Sequence, residues 1–254
     1  MARRASEFGI EVGEVRVDYP KVIERVQSIV DRGSNGATGY LESLEALDIF
    51  HGEARMTGPH EVAVNGDSLR APRVVLATGS EPASVPIEGL AEVGYWTSDD
   101  VLRRAELPDR LVVVGAGPIG MELGQALSRL GSRVTIVELL PAVLSMADAE
   151  VGELLVESLE GEGIERLLGA KVKRAERGPD GGKRLVVDHR AETRTIDADV
   201  ILIGAGRVPA IGALDLDAAG VEHTSRGIAV NARLATSGSG VYAAGDVLGA
   251  PYGP

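Results

Sequence analysis

LVVVGAGPIGMELGQALSRLGSRVTIVE, residues 111–138, is the stretch whose reading decides the fold. Residues 111–114 form a short apolar run of the kind that makes a buried parallel strand. Gly115, Gly117 and Gly120 follow in the pattern G-x-G-x-x-G. The first glycine permits a tight turn, the second lets the backbone approach a pyrophosphate, and the third lets a helix pack close to the strand. Pro118 suits the first helical turn, where its missing N–H would be unpaired anyway. Ile119, Leu123, Ala126, Leu127 and Leu130 then recur at helical spacing, and Gly131 stops the helix. Residues 134–137 are a second strand, closed by Glu138. The free N–H groups at the helix start, with the positive end of its dipole, make an anion site.

Glu138 decides the kind of dinucleotide. A carboxylate at the end of the second strand accepts hydrogen bonds from ribose hydroxyls and repels a 2′-phosphate. No Lys or Arg occurs between Arg133 and Arg166 to receive such a phosphate. The expected cofactor is therefore NAD(H), not NADP(H). A bare glycine pattern is often only a flexible turn; both strands, the helix and the acid in register make it specific.

The rest of the composition sets bounds. The 254 residues suffice for one large or two modest domains. Aromatic residues are only 3%, so the core must be built from Val, Leu, Ile and Ala. No apolar run approaches the length of a membrane span, and residues 1–11 lack the apolar stretch of a secretory signal. The expectation is a cytoplasmic protein without a membrane partner. A net charge of −12 argues against nucleic acid, which needs clustered Lys and Arg. With no cysteine, the chain has no thiolate nucleophile, disulfide or thiolate metal site. His51, His60, His189 and His223 are scattered without metal-ligand spacing, so no metal is expected.

Three segments can be distinguished. The first, residues 1–86, opens with a short polar helix. Residues 19–47 then carry Val22, Ile23, Val26, Ile29 and Val30 on one helical face, a helix that either breaks at Gly33, Gly36 and Gly39 or runs through them. Strands are expected at 49–54, 61–64 and 74–77, the last ending in the tight turn Thr78-Gly79-Ser80. The second segment, residues 87–225, holds the dinucleotide unit. It adds a helix at 150–160 and strands at 171–176, 184–189, 193–196 and 200–203, with Asp180-Gly181-Gly182 as a hairpin loop. The third, residues 226–254, has strands near 228–230 and 241–244 and reaches Gly245-Asp246. Apolar strands alternating with helices indicate an α/β, Rossmann-like fold with parallel sheets and a small antiparallel meander.

The residues LATGSEPASVP (76–86), VVVGAGPIGMELG (112–124), ADVILIGAGRVP (198–209) and TSGSGVYAAGD (236–246), in this order and separation, resemble the FAD-dependent pyridine nucleotide-disulfide oxidoreductases. Dihydrolipoamide dehydrogenases and mercuric reductases are the members most alike. The resemblance implies a flavin domain, residues 1–86 and 226–254, interrupted by an NAD(H) domain, residues 87–225. It implies that Ala77, Thr78, Gly79 and Ser80, among the FAD-binding residues, form the turn at the crossover between the domains, and that Asp246 of the pair Gly245-Asp246 bonds to a ribityl hydroxyl of FAD. The plainer role for Gly245-Asp246 is a turn and helix cap. The resemblance also places Glu122 near the nicotinamide, where the plainer reading is a solvated residue favoured by the helix dipole. Pro118 stands where several members carry an aromatic lid, and Gly206-Arg207 matches a glycine-arginine turn near the nicotinamide, with Arg207 in a positioning role.

The resemblance further implies parts that this sequence does not contain. The family's first flavin motif and redox cysteine pair precede the matching region, and its dimerisation domain follows it. The expected activity is hydride transfer between NAD(H) and FAD, with no catalytic residue for a thiol step in this chain. The alternatives are a non-catalytic NAD(H)-binding fragment and one subunit of a split flavoenzyme. The expectation is a complete NAD(H) site beside an incomplete FAD site, and a purified chain that binds NADH but is colourless.

Overall fold

The computed structural model describes residues 2–249; the last five residues of the third sequence segment lie outside the described residues. A 3-10 turn, Ala2–Phe8, precedes helix α1 (Tyr19–Glu42). Strands β1 (Ala54–Gly58), β2 (Glu61–Val64), β3 (Asp67–Arg70), β4 (Val74–Leu76) and β5 (Ser80–Pro82) follow, then the short helices α2 (Leu90–Val93) and α3 (Ser98–Val101). An alternating run comes next: β6 (Arg110–Val114), α4 (Pro118–Leu130), β7 (Arg133–Glu138), α5 (Ala149–Gly161) and β8 (Glu165–Leu168). The remaining strands are β9 (Lys171–Arg177), β10 (Lys183–His189), β11 (Glu192–Ala198), β12 (Val200–Ile203), β13 (Arg207–Pro209), β14 (His223–Thr224), β15 (Gly227–Ile228) and β16 (Val241–Ala243).

The chain divides into two compact units, Met1–Asn35 with Val85–Ala205 and Gly36–Ser84 with Gly206–Pro254. These divisions differ from the sequence segments. Tyr19 and Ile23 bury themselves in the core of the first unit. Leu214, Leu216, Ala219 and Val221 bury themselves in the core of the second, which carries residues 206–225 with it.

In the first unit, β12, β6, β7 and β8 form a parallel sheet in that order. Side chains alternate between its faces. Leu111, Val113, Ile136 and Leu202 meet Leu127 of α4 and Leu159 of α5 on one side. Val112, Val137, Ile201 and Ile203 meet Leu185 and Val187 of β10 on the other. Covering both faces is what makes a parallel sheet stable, and it explains why all of β12 is buried. Each such Val, Leu or Ile contributes about 1.5–3 kcal/mol relative to exposure. The cover on the second face is the antiparallel meander β9-β10-β11. Its β10–β11 turn places Arg190 (φ 52°) and Ala191 (φ 63°) in the left-handed region.

In the second unit, β1, β2 and β3 form an antiparallel sheet, β4 pairs in parallel with β16, and β5 pairs antiparallel with β13. Asn65 (φ 51°) and Gly66 (φ 94°) make the two-residue turn between β2 and β3. Met56, Leu76, Val241, Ala243 and Val247 are central to this unit's core.

Several local expectations need correction. Residues 49–54 are not a strand: β1 starts at Ala54, where Met56 is 1% exposed, whereas Phe50 is 49% exposed. The Met56 N–H also donates to the Leu214 carbonyl, which pins the strand at that register. The strand expected at 228–230 is only Gly227–Ile228. Of the two courses open to helix α1, it takes the second and runs through Gly33, Gly36 and Gly39, where nothing crowds the backbone and solvent surrounds it.

Candidate functional site

The end of β6 passes into α4 through Gly115, Ala116 and Gly117. Gly115 has φ +110°, and a Cβ there would lie 2.6 Å from the Gly204 carbonyl oxygen. Both facts require glycine. A Cβ on Gly120 would strike the Gly115 carbonyl oxygen and come within 3.2 Å of Val113, so this glycine sets the closeness of helix and strand.

Gly117 is different. It is the N-cap of α4 with φ −74° and ψ 179°, extended backbone open to any residue. A Cβ there would meet only the Gly204 oxygen, at 4.0 Å. Ser, Asp or Asn would cap the helix better than glycine. Neither strain nor packing within the protein explains glycine at 117; a ligand brought against the backbone would. Pro118 occupies the first helical position, and no side chain caps the helix. The N–H groups of Ile119 and Gly120 belong to the first turn, which has no intrahelical acceptors. The N-terminus of α4 therefore fits an anionic pyrophosphate.

Glu138 ends β7 beside this turn. One carboxylate oxygen accepts from the Ala116 N–H at 2.6 Å and the other from the Leu140 N–H at 2.8 Å. A carboxylate offers about four lone-pair sites, so acceptor capacity remains for sugar hydroxyls. Glu122 is exposed on α4. The structure thus brings Gly115, Gly117, Pro118, Ile119, Gly120, Glu122 and Glu138 into one β–turn–α–β unit.

The remaining expected residues gather in the second unit. Gly79 (φ +73°) turns the chain between β4 and β5, and Thr78 Oγ1 donates to the Ala210 carbonyl at 2.8 Å. Ser80 Oγ donates to Asp246 Oδ2 at 2.7 Å. Arg207 donates from Nε to Ser80 Oγ at 2.7 Å and from Nη2 to the Ser80 carbonyl at 2.6 Å. Arg207, Ser80 and Asp246 are therefore linked in series. The β5–β13 pairing sets this up by placing Arg207 opposite Pro82 and Pro209 opposite Ser80. Gly206 and Arg207, expected with the nicotinamide residues, are joined here to the expected flavin residues. Gly245 and Asp246 open the short 3-10 turn Gly245–Leu248, whose N-cap is Ala244; a helix beginning beyond it would lie outside the described residues.

Sequence reasoning missed the Ser80–Arg207 link and the contact of Leu144 with the glycine turn, where the Leu144 N–H donates to the Ala116 carbonyl at 2.9 Å. The first joins residues 127 apart and left no local signal. The second depends on a left-handed leucine, which no sequence pattern announces. No helix among the described residues is long and apolar enough to cross a membrane.

Residues 5–252 match the family described as pyridine nucleotide-disulphide oxidoreductase, and the chain belongs to that family. A dihydrolipoyl dehydrogenase of Thermus scotoductus is 38% identical over 97% of the chain and 54% of its own length. A mercuric reductase of Bacillus cereus is 34% identical over 99% of the chain and 40% of its own length. The HOCl-induced flavoprotein disulfide reductase RclA from Escherichia coli superposes with a TM-score of 0.84 at 26% identity, covering 92% of this chain and 54% of that one. The chain spans about half the length of the curated relatives it matches. The fold is Rossmann-like α/β with parallel sheets and added antiparallel strands.

Proposed function

We propose that the chain carries the NAD(H) site, and part of the FAD site, of a flavin-dependent oxidoreductase of the dihydrolipoamide dehydrogenase and mercuric reductase kind. The open position at Gly117 carries this reading, because it leaves a cradle at the helix N-terminus that the protein does not fill. Residues 85–205 supply the NAD(H) unit. Gly117, Ile119 and Gly120 hold the pyrophosphate, Gly115 shapes the turn, Pro118 starts the helix, and Glu138 selects the unphosphorylated ribose. Glu122 faces the nicotinamide end.

The turn 77–80 and Gly245-Asp246 supply the flavin contacts. Asp246 accepts from a ribityl hydroxyl, while Ser80, held by Arg207, fixes the carboxylate. Arg207 and Gly206 serve this set. When bound together, the two cofactors supply hydride transfer between nicotinamide and flavin. The protein's part is to place and orient them. The chain has no cysteine, so a thiol step draws on residues outside this sequence.

Titration of the purified chain with NADH and NADPH tests the reading. Saturable NADH binding, at least tenfold tighter than NADPH, is expected. A preference for NADPH overturns the role of Glu138, and no binding of either overturns the dinucleotide site. A flavin titration followed by diaphorase assay then separates a hydride-transferring chain from one that only binds NAD(H).

A further inference from the structure

Leu144 lies in the loop between β7 and α5 with φ +46°, a left-handed backbone that a leucine seldom adopts. Of the other non-glycine residues with positive φ among those described, Asn65, Arg190 and Ala191 sit in two-residue hairpin turns, Asp215 caps a 3-10 turn, and Leu234 closes a turn in which its N–H donates to the Asn231 carbonyl. Leu144 belongs to none of these. A strained residue persists where its surroundings hold it, and such residues gather at functional sites.

The surroundings here are specific. The Leu144 N–H donates to the Ala116 carbonyl at 2.9 Å, and the Leu144 carbonyl accepts from the Ala147 N–H at 2.7 Å. Val143, one residue earlier, is 3% exposed within the core. A Cβ on Gly152 of α5 would come within 3.1 Å of the Val143 carbonyl oxygen, so α5 closes on the loop from the other side. The left-handed φ at 144 turns the chain immediately after the Leu144 N–H, so that the Leu144 carbonyl meets the Ala147 N–H and the loop can continue into α5 while Val143 stays buried and the Leu144 N–H stays on the glycine turn.

That N–H acts on the dinucleotide turn itself. The Ala116 carbonyl and the Gly117 N–H belong to one planar trans peptide and point in opposite directions. Holding the carbonyl on Leu144 fixes the Gly117 N–H away from it, available to an acceptor outside the loop. The preceding peptide is fixed in the same way, because the Ala116 N–H is held by Glu138 at 2.6 Å. Two successive peptides of the turn are thus oriented by the strand β7 and the loop that follows it.

We propose that Leu144 is a positioning residue for the NAD(H) pyrophosphate, acting through its backbone: its N–H, kept in place by the left-handed turn that follows it, presets the Gly117 N–H. The proposal rests on the dinucleotide reading above. Its distinctive consequence is that the backbone conformation at 144, not the leucine side chain, governs NADH affinity.

The test compares NADH dissociation constants and Tm for the wild type, Leu144→Gly and Leu144→Ile. Glycine adopts positive φ freely, whereas a β-branched residue resists it. The expected order is Leu144→Gly within twofold of the wild type and Leu144→Ile at least fivefold weaker. Leu144→Gly should nevertheless have the lower Tm, because it loses apolar packing. A merely structural role predicts the opposite binding order, with the glycine variant weakest, and that order overturns the proposal. Equal affinities for all three overturn it too. Amide hydrogen exchange gives a second readout that survives a poorly folding isoleucine variant. Protection at Leu144 in the wild type and in Leu144→Gly is expected, and its absence in the wild type overturns the proposal. A wild type that binds no NADH, with Leu144 protected, overturns the dinucleotide reading and with it the proposal. Saturable wild-type binding with the wrong variant order fails only the proposal.

Discussion

The Glu138 carboxylate accepts a hydrogen bond from the Ala116 N–H at 2.6 Å, joining the acid at the end of β7 to the glycine turn at the end of β6. The acid shapes the turn, and in the proposed function it also meets the ribose. Glu138→Arg removes both and places a cation where a 2′-phosphate would sit. NADH binding should weaken at least tenfold, about 1.4 kcal/mol, while NADPH binding improves relative to it. Parallel titrations check this; an unchanged NADH:NADPH ratio contradicts it.

Gly120 should behave as a packing residue. Gly120→Ala drives a Cβ into the Gly115 carbonyl oxygen, with backbone on both sides of the contact. Overpacking of this kind costs about 1–3 kcal/mol, so Tm should fall by several degrees whether or not NADH is present. Thermal unfolding followed by circular dichroism measures it.

The β10–β11 turn should be improvable. Arg190 and Ala191 both adopt positive φ in a two-residue hairpin, a geometry that Asn-Gly accepts without strain. Replacing the pair by Asn-Gly should stabilise the chain by about 1–2 kcal/mol and leave NADH affinity unchanged. Denaturant unfolding at constant m-value checks this.

Asp199 gives the acid limb of stability a definite sign. Hydrogen bonds from the Arg110 side chain, and secondarily the Arg110 backbone N–H at 2.8 Å, hold its carboxyl below the usual carboxylate range against the opposing effect of burial. A carboxyl lowered by folding stabilises fully above its unfolded pKa, near 4, and loses that contribution as pH falls through the lower folded value. Asp199→Asn should therefore lower Tm at pH 7, with the deficit against wild type shrinking as pH falls below the usual carboxylate range. A deficit that grows on acidification contradicts the assignment.

Legibility in the sequence tracked how local each determinant is. The β6–α4–β7–Glu138 unit was readable because its signals lie within one continuous stretch, and two of its three glycines, Gly115 and Gly120, answer to backbone strain or close approach. The meander was readable for the same reason. The strand Asp67–Arg70 was missed although Asn65-Gly66 is a strong hairpin signal, which its polar residues obscured. Residues 49–54 read as a strand from composition, but burial of Met56 and its bond to Leu214 moved the strand onward. The link of Arg207 through Ser80 to Asp246 depends on β5 pairing with β13, a contact that no local pattern encodes.

Gly117 is the residue on which NADH binding should depend most, because neither its backbone nor its protein neighbours require glycine. The decisive measurement is the NADH dissociation constant of Gly117→Val beside that of the wild type, with Tm recorded for both. Saturable binding by the wild type, at least a tenfold loss in the variant, and Tm values within a few degrees are expected. Equal NADH binding by the two proteins would contradict the dinucleotide reading.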